Sequence, residues 1–221
     1  RPRRKAGVGT WSGRVSGRGR DVVGKAGESI SPPVSGCRRG PAWCSELPVK
    51  HKIRLGISSC LLGNKVRYDG GHKRDKALTN ALGERVEFVP VCPEVECGLG
   101  RAGRKRPTIH LVGDPAAPRL KRCRSGYDVT ARMLKWIERK LPKLERAHLD
   151  GYIFKAGSPS CGMERVKLHN SDGDVVGTTS GMFARAFMDR FPLLPVADDE
   201  QLRDPAVRGK FIRRARCCGS R

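Results

Sequence analysis

From Lys52 onward the chain alternates short apolar runs with polar stretches rich in Gly, Pro and Ser. Ile53 to Ser58 alternates and then turns apolar, which predicts a first strand. Val86 to Val91 predicts a second, with Pro90 tolerable at an edge or a strand end. Gly151 to Lys155 predicts a third. Arg74 to Leu82 reads as a helix, with Ala77, Leu78, Ala81 and Leu82 on one side and Gly83 as its stop. The longest helix opens at Asp128, a good N-cap, and carries Val129, Met133, Trp136, Ile137 and Leu141 about one helical period apart. Pro142 is expected to kink or end it, with a further turn through Leu144. Gly181 to Phe191 is amphipathic, and Asp204-Pro205 caps a last helix with Phe211 and Ile212 on its apolar side.

Shorter extended pieces are expected at Ile109–Val112, Arg119–Cys123 and Phe191–Val196. A small hairpin is expected around Asn170-Ser171-Asp172-Gly173, flanked by Arg165–His169 and Val175-Val176. Cys92 to Pro107 reads as a basic loop. Strands alternating with helices predict an α/β fold: one compact domain over 52–214, with a mainly parallel, Rossmann-like sheet flanked by helices.

Residues 1–51 are rich in Gly, Arg, Ser and Pro and have no hydrophobic period. Such a segment cannot bury enough apolar surface to offset chain entropy and is expected to be a disordered basic tail. It fits a nucleic-acid-binding arm, an Arg-rich transit peptide, or sequence upstream of the true start. Residues 215–221 are expected to be a C-terminal tail.

Charge changes the picture. The formal net charge is +23 over 221 residues, which favours an anionic partner such as RNA or a phosphorylated small molecule, or a surface inflated by the Arg-rich tail. Nine cysteines, an odd number, with no apolar leader segment argue against a secreted disulfide scaffold. No apolar run approaches the length of a membrane span. A reducing, cytoplasmic setting is expected, with thiols available for metal or catalysis.

Cys60, Cys92 and Cys161 each lie just past the end of a predicted strand, in turns containing Gly, Pro or Ser. In open α/β sheets ligands bind beyond the carboxyl ends of the strands, so neighbouring strands would bring the three thiols together. Three cysteines without a histidine at metal spacing suit zinc with a fourth ligand, or an iron–sulfur cluster that leaves one iron without a protein ligand. The latter gives an open Lewis-acid position. Cys97 is a better fourth ligand than Cys123, and both are expected to be bystanders. Glu94, Asp69, Lys155 and Ser158 are candidate acid–base or binding groups, while Ser158 and Ser160 can also cap their turn. His72, His110, His148 and His169 form no ligand set.

Three ordered stretches resemble the thiouracil desulfidase (TudS-like) family, whose domain also forms the N-terminal part of YbgA-type proteins. They are Ser58-Ser59-Cys60-Leu61-Leu62-Gly63 with Arg67-Tyr68-Asp69-Gly70, then Pro90-Val91-Cys92-Pro93-Glu94-Val95, then Lys155-Ala156-Gly157-Ser158-Pro159-Ser160-Cys161-Gly162. The resemblance covers about 52–214. It implies a compact α/β domain holding a [4Fe-4S] cluster through Cys60, Cys92 and Cys161. It also implies an unligated iron that takes the sulfur of a thiolated nucleobase such as 2-thiouracil. Water then replaces that sulfur, giving uracil and sulfide. Ser158 and Glu94 are the implied catalytic residues.

The chain departs from the family pattern after the second motif. Gly98-Leu99-Gly100-Arg101-Ala102-Gly103-Arg104 lacks the proline of the family's Gly-Leu-x-x-Pro-Arg segment, which bears on the loop lining the site. The competing expectations are a non-catalytic iron–sulfur or zinc module that binds RNA through its basic surface, and an enzyme acting on thiolated tRNA.

Overall fold

The structure is a computed structural model and describes residues 52–218; the expected tail over 1–51 lies outside the described residues. Eight strands and five α-helices follow in the order β1 (Ile53–Ser58), α1 (Lys76–Leu82), β2 (Val86–Val91), α2 (Pro93–Glu96), β3 (Ile109–Val112), β4 (Arg119–Arg122), α3 (Thr130–Arg146), β5 (Gly151–Phe154), β6 (Val166–His169), β7 (Val175–Thr179), α4 (Met182–Arg190), β8 (Val196–Asp198) and α5 (Pro205–Cys218).

The main sheet has the order β2-β1-β5-β8 and is parallel throughout. Ser58 pairs with Val91, Ile57 with Ile153, and Phe154 with Asp198, so the carboxyl ends of all four strands lie along one edge. The chain moves from β1 to β2 on one side and later returns to β5 on the other. The order therefore reverses beside β1, and the crevice at the ends of β1 and β5 is the topological switch point.

Both faces of this sheet are covered, which explains the nearly continuous burial of β1 and β5. Leu55, Ile57 and Ile153 pack with Leu78 and Leu82 of α1 and with Phe211 and Ala215 of α5. Tyr152 and Phe154, on the opposite face of β5, pack with Met133, Trp136 and Ile137 of α3 and with Phe183 and Phe187 of α4. Side chains alternate across a strand, so one four-residue strand feeds two cores.

Several features depart from the sequence expectations. A second sheet, β4-β3-β6-β7, pairs β3 and β6 in parallel between two antiparallel neighbours. Its Leu111, Leu120, Val166 and Leu168 extend the aromatic core, a long-range pairing that no local period announces. The stretch expected as a loop after Cys92 contains the single turn α2. Helix α3 passes through Pro142 to Arg146, with that proline on its exposed face, while Met133, Trp136, Ile137 and Leu144 bury the opposite one. Asp128 caps from one residue earlier, its carboxylate accepting from the Thr130 N–H at 2.8 Å. Of the extended run expected at 191–196 only Val196 is strand, the first residue of β8. Helix α5 continues beyond the boundary expected at 214, since Ala215 lies one helical turn from Phe211 and is fully buried. Among the described residues no helix is long and apolar enough to cross a membrane.

Gly56 of β1 is paired beside Tyr152, and a Cβ on it would fall within the Tyr152 ring and against Leu149. Gly56→Ala should therefore destabilise the protein by about 1–3 kcal/mol through overpacking. A lowered urea midpoint with unchanged slope is the expected result, and an unchanged midpoint would show that the ring has room to move.

Candidate active site

The switch-point crevice opens into a cavity of about 330 Å³. Cys60, Cys92 and Cys161 all line it, together with Glu94, Lys155 and Ser158. Six of the seven side chains expected from the sequence to carry chemistry therefore meet in one place. Asp69 does not join them: it is exposed, and its carboxylate accepts from the Gly71 N–H at 2.9 Å to close a local turn. Cys97 is buried in the aromatic core and Cys123 is exposed after β4; neither lines the cavity, nor do the four histidines named above.

Each cysteine is set by its local backbone. Cys60 sits in a 3-10 turn, Ser59–Leu62, closed by Gly63 at φ 97°, a left-handed conformation that glycine adopts without strain. The Lys73 N–H donates to the Cys60 carbonyl at 3.0 Å and folds the following loop back over the turn. Cys92 is the N-cap of α2, and its N–H donates to Glu96 Oε1 at 2.9 Å; Lys140 of α3 holds the other Glu96 oxygen at 2.8 Å.

Cys161 closes the Ser-Pro-Ser-Cys turn, its N–H donating to Ser158 Oγ at 3.2 Å. The same turn supplies acceptors to the start of α4. The N–H groups of Met182, Phe183 and Ala184 donate to the carbonyls of Pro159 and Ser160, so the unpaired donors of a helix N-terminus anchor the turn. Gly181 is required there because a Cβ would lie 2.7 Å from the Ser160 carbonyl carbon.

The candidate acid–base groups form a connected line. Ser160 is fully buried and its hydroxyl donates to Glu94 Oε1 at 2.7 Å. Arg106 Nη2 pairs with Glu94 Oε2 at 2.6 Å. Ser158, which lines the cavity, has its Oγ 3.4 Å from Ser160 Oγ. Beside them Lys155 Nζ pairs with Asp199 Oδ2 at 3.1 Å, and Asp199 Oδ1 also accepts from the Ala156 N–H at 2.8 Å. Lys155, expected to meet either an Asp or an anionic substrate, is thus neutralised by the protein. Sequence reasoning missed Arg106, Asp199 and the pairing of Ser160. Arg106 was concealed by the departure in its loop, where an Arg-Pro step just before β3 was its only local mark. Asp199 follows β8 by one residue and becomes relevant only because β8 pairs with β5.

Burial pushes all three thiols above their ordinary range, Cys92 to about 11, with the Ser58 hydroxyl offsetting part of the effect at Cys161. Such thiols are protonated at neutral pH and are poor nucleophiles by themselves, whereas a bound metal would deprotonate them. All three are free. Among the described residues no three His, Cys, Asp or Glu side chains form a ready-made site for a metal ion. Three free thiols on the wall of one cavity are donors of the type an iron–sulfur cluster takes, each thiolate on its own iron.

The sequence profile of the 2-thiouracil desulfurase family matches residues 55–199, from β1 through Asp199, and so takes in every group of this site. The chain belongs to the 2-thiouracil desulfurase family. Within the family it is similar to a solved [4Fe-4S]-dependent thiouracil desulfidase, TudS, at 31% identity and a TM-score of 0.51; the match covers 73% of this chain and 99% of that one. It is also 29% identical to the uncharacterized protein YbbK of Bacillus subtilis (strain 168) over 111 residues, 48% of this chain and 71% of YbbK. The desulfurase family match ends at Asp199, so α5 lies beyond it.

The Lys155–Asp199 pair gives a direct test of the site's electrostatics. Both side chains are largely buried, at 16% and 5% exposure. Asp199→Ala leaves the ammonium without its counter-charge and should cost about 3 kcal/mol in urea unfolding. The double change Lys155→Met with Asp199→Ala should recover part of that loss, and strict additivity of the two single effects would count against a coupled pair.

Proposed function

We propose that the protein is a [4Fe-4S]-dependent desulfidase that removes sulfur from a thiolated nucleobase of the 2-thiouracil type. The thiobase and water give the oxo base and hydrogen sulfide. The observation that carries this reading is the meeting of three free thiols with a Ser158–Ser160–Glu94 hydrogen-bonded line in one cavity. Cys60, Cys92 and Cys161 would hold the cluster. When bound, the cluster supplies a thiophilic Lewis-acid site with one iron free of protein ligand.

The remaining work falls to the chain's own groups. Ser158 lines the cavity, and its Oγ would hold the attacking water or the ring. Ser160 links that hydroxyl to Glu94, so a proton taken up at the cavity can pass through two hydroxyls to the carboxylate and be returned to the departing sulfur. Arg106 holds Glu94 in place through Oε2. A reducing cytoplasmic setting suits this chemistry because it keeps the thiols free. Exposed Arg101, Arg104 and Lys105, in the loop that ends in Arg106, support an added contact with RNA.

Anaerobic reconstitution should give brown protein with about four irons per chain and sulfide release from 2-thiouracil. Cys161→Ala should abolish both colour and activity. Ser158→Ala should keep the iron and lower kcat by roughly 10²–10⁴-fold. Colourless protein after reconstitution would sink the proposal. Salt-dependent RNA binding that survives Ser158→Ala, without sulfide release, would favour a binding module instead.

A further inference from the structure

The desulfidase reading leaves two buried donors in the cavity wall unexplained. Arg106 is only 5% exposed, and while its Nη2 binds Glu94, its Nη1 is buried with no hydrogen-bond partner among the described residues. Arg67 Nε is in the same condition; its nearest carboxylate oxygen, Asp69 Oδ2, stands 3.9 Å away, too far for a hydrogen bond. Both side chains line the cavity that holds the three thiols.

Neither guanidinium is loosely placed. The Arg106 N–H donates to the Tyr68 carbonyl at 2.8 Å and the Gly103 N–H to the Lys65 carbonyl at 2.6 Å, which fastens the Arg106 loop along the Arg67 loop. A charged donor buried without a partner is costly. Because both side chains line the cavity, a ligand seated there can supply the missing acceptor once the guanidinium shifts slightly towards it.

We propose that the Arg106–Glu94 pair reads the imide edge of the bound pyrimidine and thereby selects oxo-substituted over amino-substituted thiobases; this rests on the desulfidase reading above. Arg106 Nη1 offers a donor. Glu94 accepts one hydrogen bond at each oxygen, from Ser160 and from Arg106, and keeps acceptor capacity on both. The pair therefore sets a donor beside an acceptor. A thiouracil ring presents the complement, a carbonyl oxygen next to a ring N–H. A thiocytosine ring presents the reverse, an amino group next to a bare ring nitrogen. Its amino hydrogens would face the guanidinium and its ring nitrogen the carboxylate. Sites built to hydrogen-bond one pattern reject the other because their buried groups are then left unpaired.

The test compares kcat/KM for sulfide release from 2-thiouracil and 2-thiocytosine, with the sulfur at the same ring position in both. The cluster-loaded protein should prefer 2-thiouracil by roughly ten- to hundredfold. Arg106→Lys, with iron content and cluster absorbance unchanged, should narrow that ratio: a loss through the positioning of Glu94 falls on both bases alike, whereas the lost Nη1 contact raises KM for 2-thiouracil alone. Equal kcat/KM for the two bases in the unaltered protein would overturn the inference and leave the desulfidase reading standing. So would an Arg106→Lys variant with full iron and an unchanged ratio. Sulfide release from neither base would sink the desulfidase reading itself, and the inference with it. If Arg106→Lys does not retain iron, the ratio in the unaltered protein still decides.

Discussion

Parallel pairing of β1 with β2 on one side and β5 on the other is the constraint on which this molecule depends. Parallel strands share a direction, so their carboxyl ends fall along one edge, and every segment that leaves the sheet there begins at the same level. Cys60 follows β1 by two residues and Cys92 follows β2 by one. The segment from Lys155 to Cys161 follows β5 and Asp199 follows β8. Four stretches far apart in sequence therefore open onto a single crevice. An antiparallel partner in place of β5 would send its turn to the opposite end of the sheet and leave Cys161 about a strand length from the other two thiols.

The crevice is polar, yet its charges are largely compensated. Glu94 is held by Arg106, and Asp199 by Lys155 and the Ala156 N–H. Taking such groups out of water is costly unless each is paired and hydrogen-bonded. The pairings also fix geometry: Glu94 cannot turn away from Ser160 without losing contacts at both oxygens. What remains uncompensated is informative for that reason. The buried, unpaired N–H groups of Arg67 and Arg106 and the protonated thiols are groups of the cavity wall whose partners are not supplied by the described residues.

Rigidity reaches the third motif through α4. The first N–H groups of that helix donate into the Ser-Pro-Ser-Cys turn, and the Phe183 and Phe187 side chains of the same helix lie in the aromatic core with Tyr152, Phe154 and Trp136. The turn is thereby tied to the most deeply buried part of the molecule rather than left as a surface loop. Gly181 permits this close approach and Gly162 a second one, where a Cβ would lie 2.9 Å from the Ser158 carbonyl oxygen. Placing functional groups on loops held by a rigid scaffold reconciles precise position with the irregular backbone that the chemistry needs.

Much of this was legible in the chain itself. The period-3.6 stripes of α3, α4 and α5, the three principal strands, and a thiol just beyond each strand end could be read locally, because each depends on side-chain spacing or on turn residues. The motif set also announced the family and its candidate site. The second sheet, the passage of α3 through Pro142, the extension of α5 to Cys218, and the partners of the site residues could not. Ser160 meets Glu94 across 66 residues, and Lys155 meets Asp199 across 44. No periodicity encodes a contact at that separation; it exists only once β5 has paired with β1 and β8 with β5. The sequence by itself determined which residues could bear the chemistry and that they stand at strand ends. The tertiary structure alone decided which carboxylate each cation neutralises, which serine touches Glu94, and which guanidinium donors are left without a partner among the described residues, because burial and long-range pairing, not local spacing, set those relations.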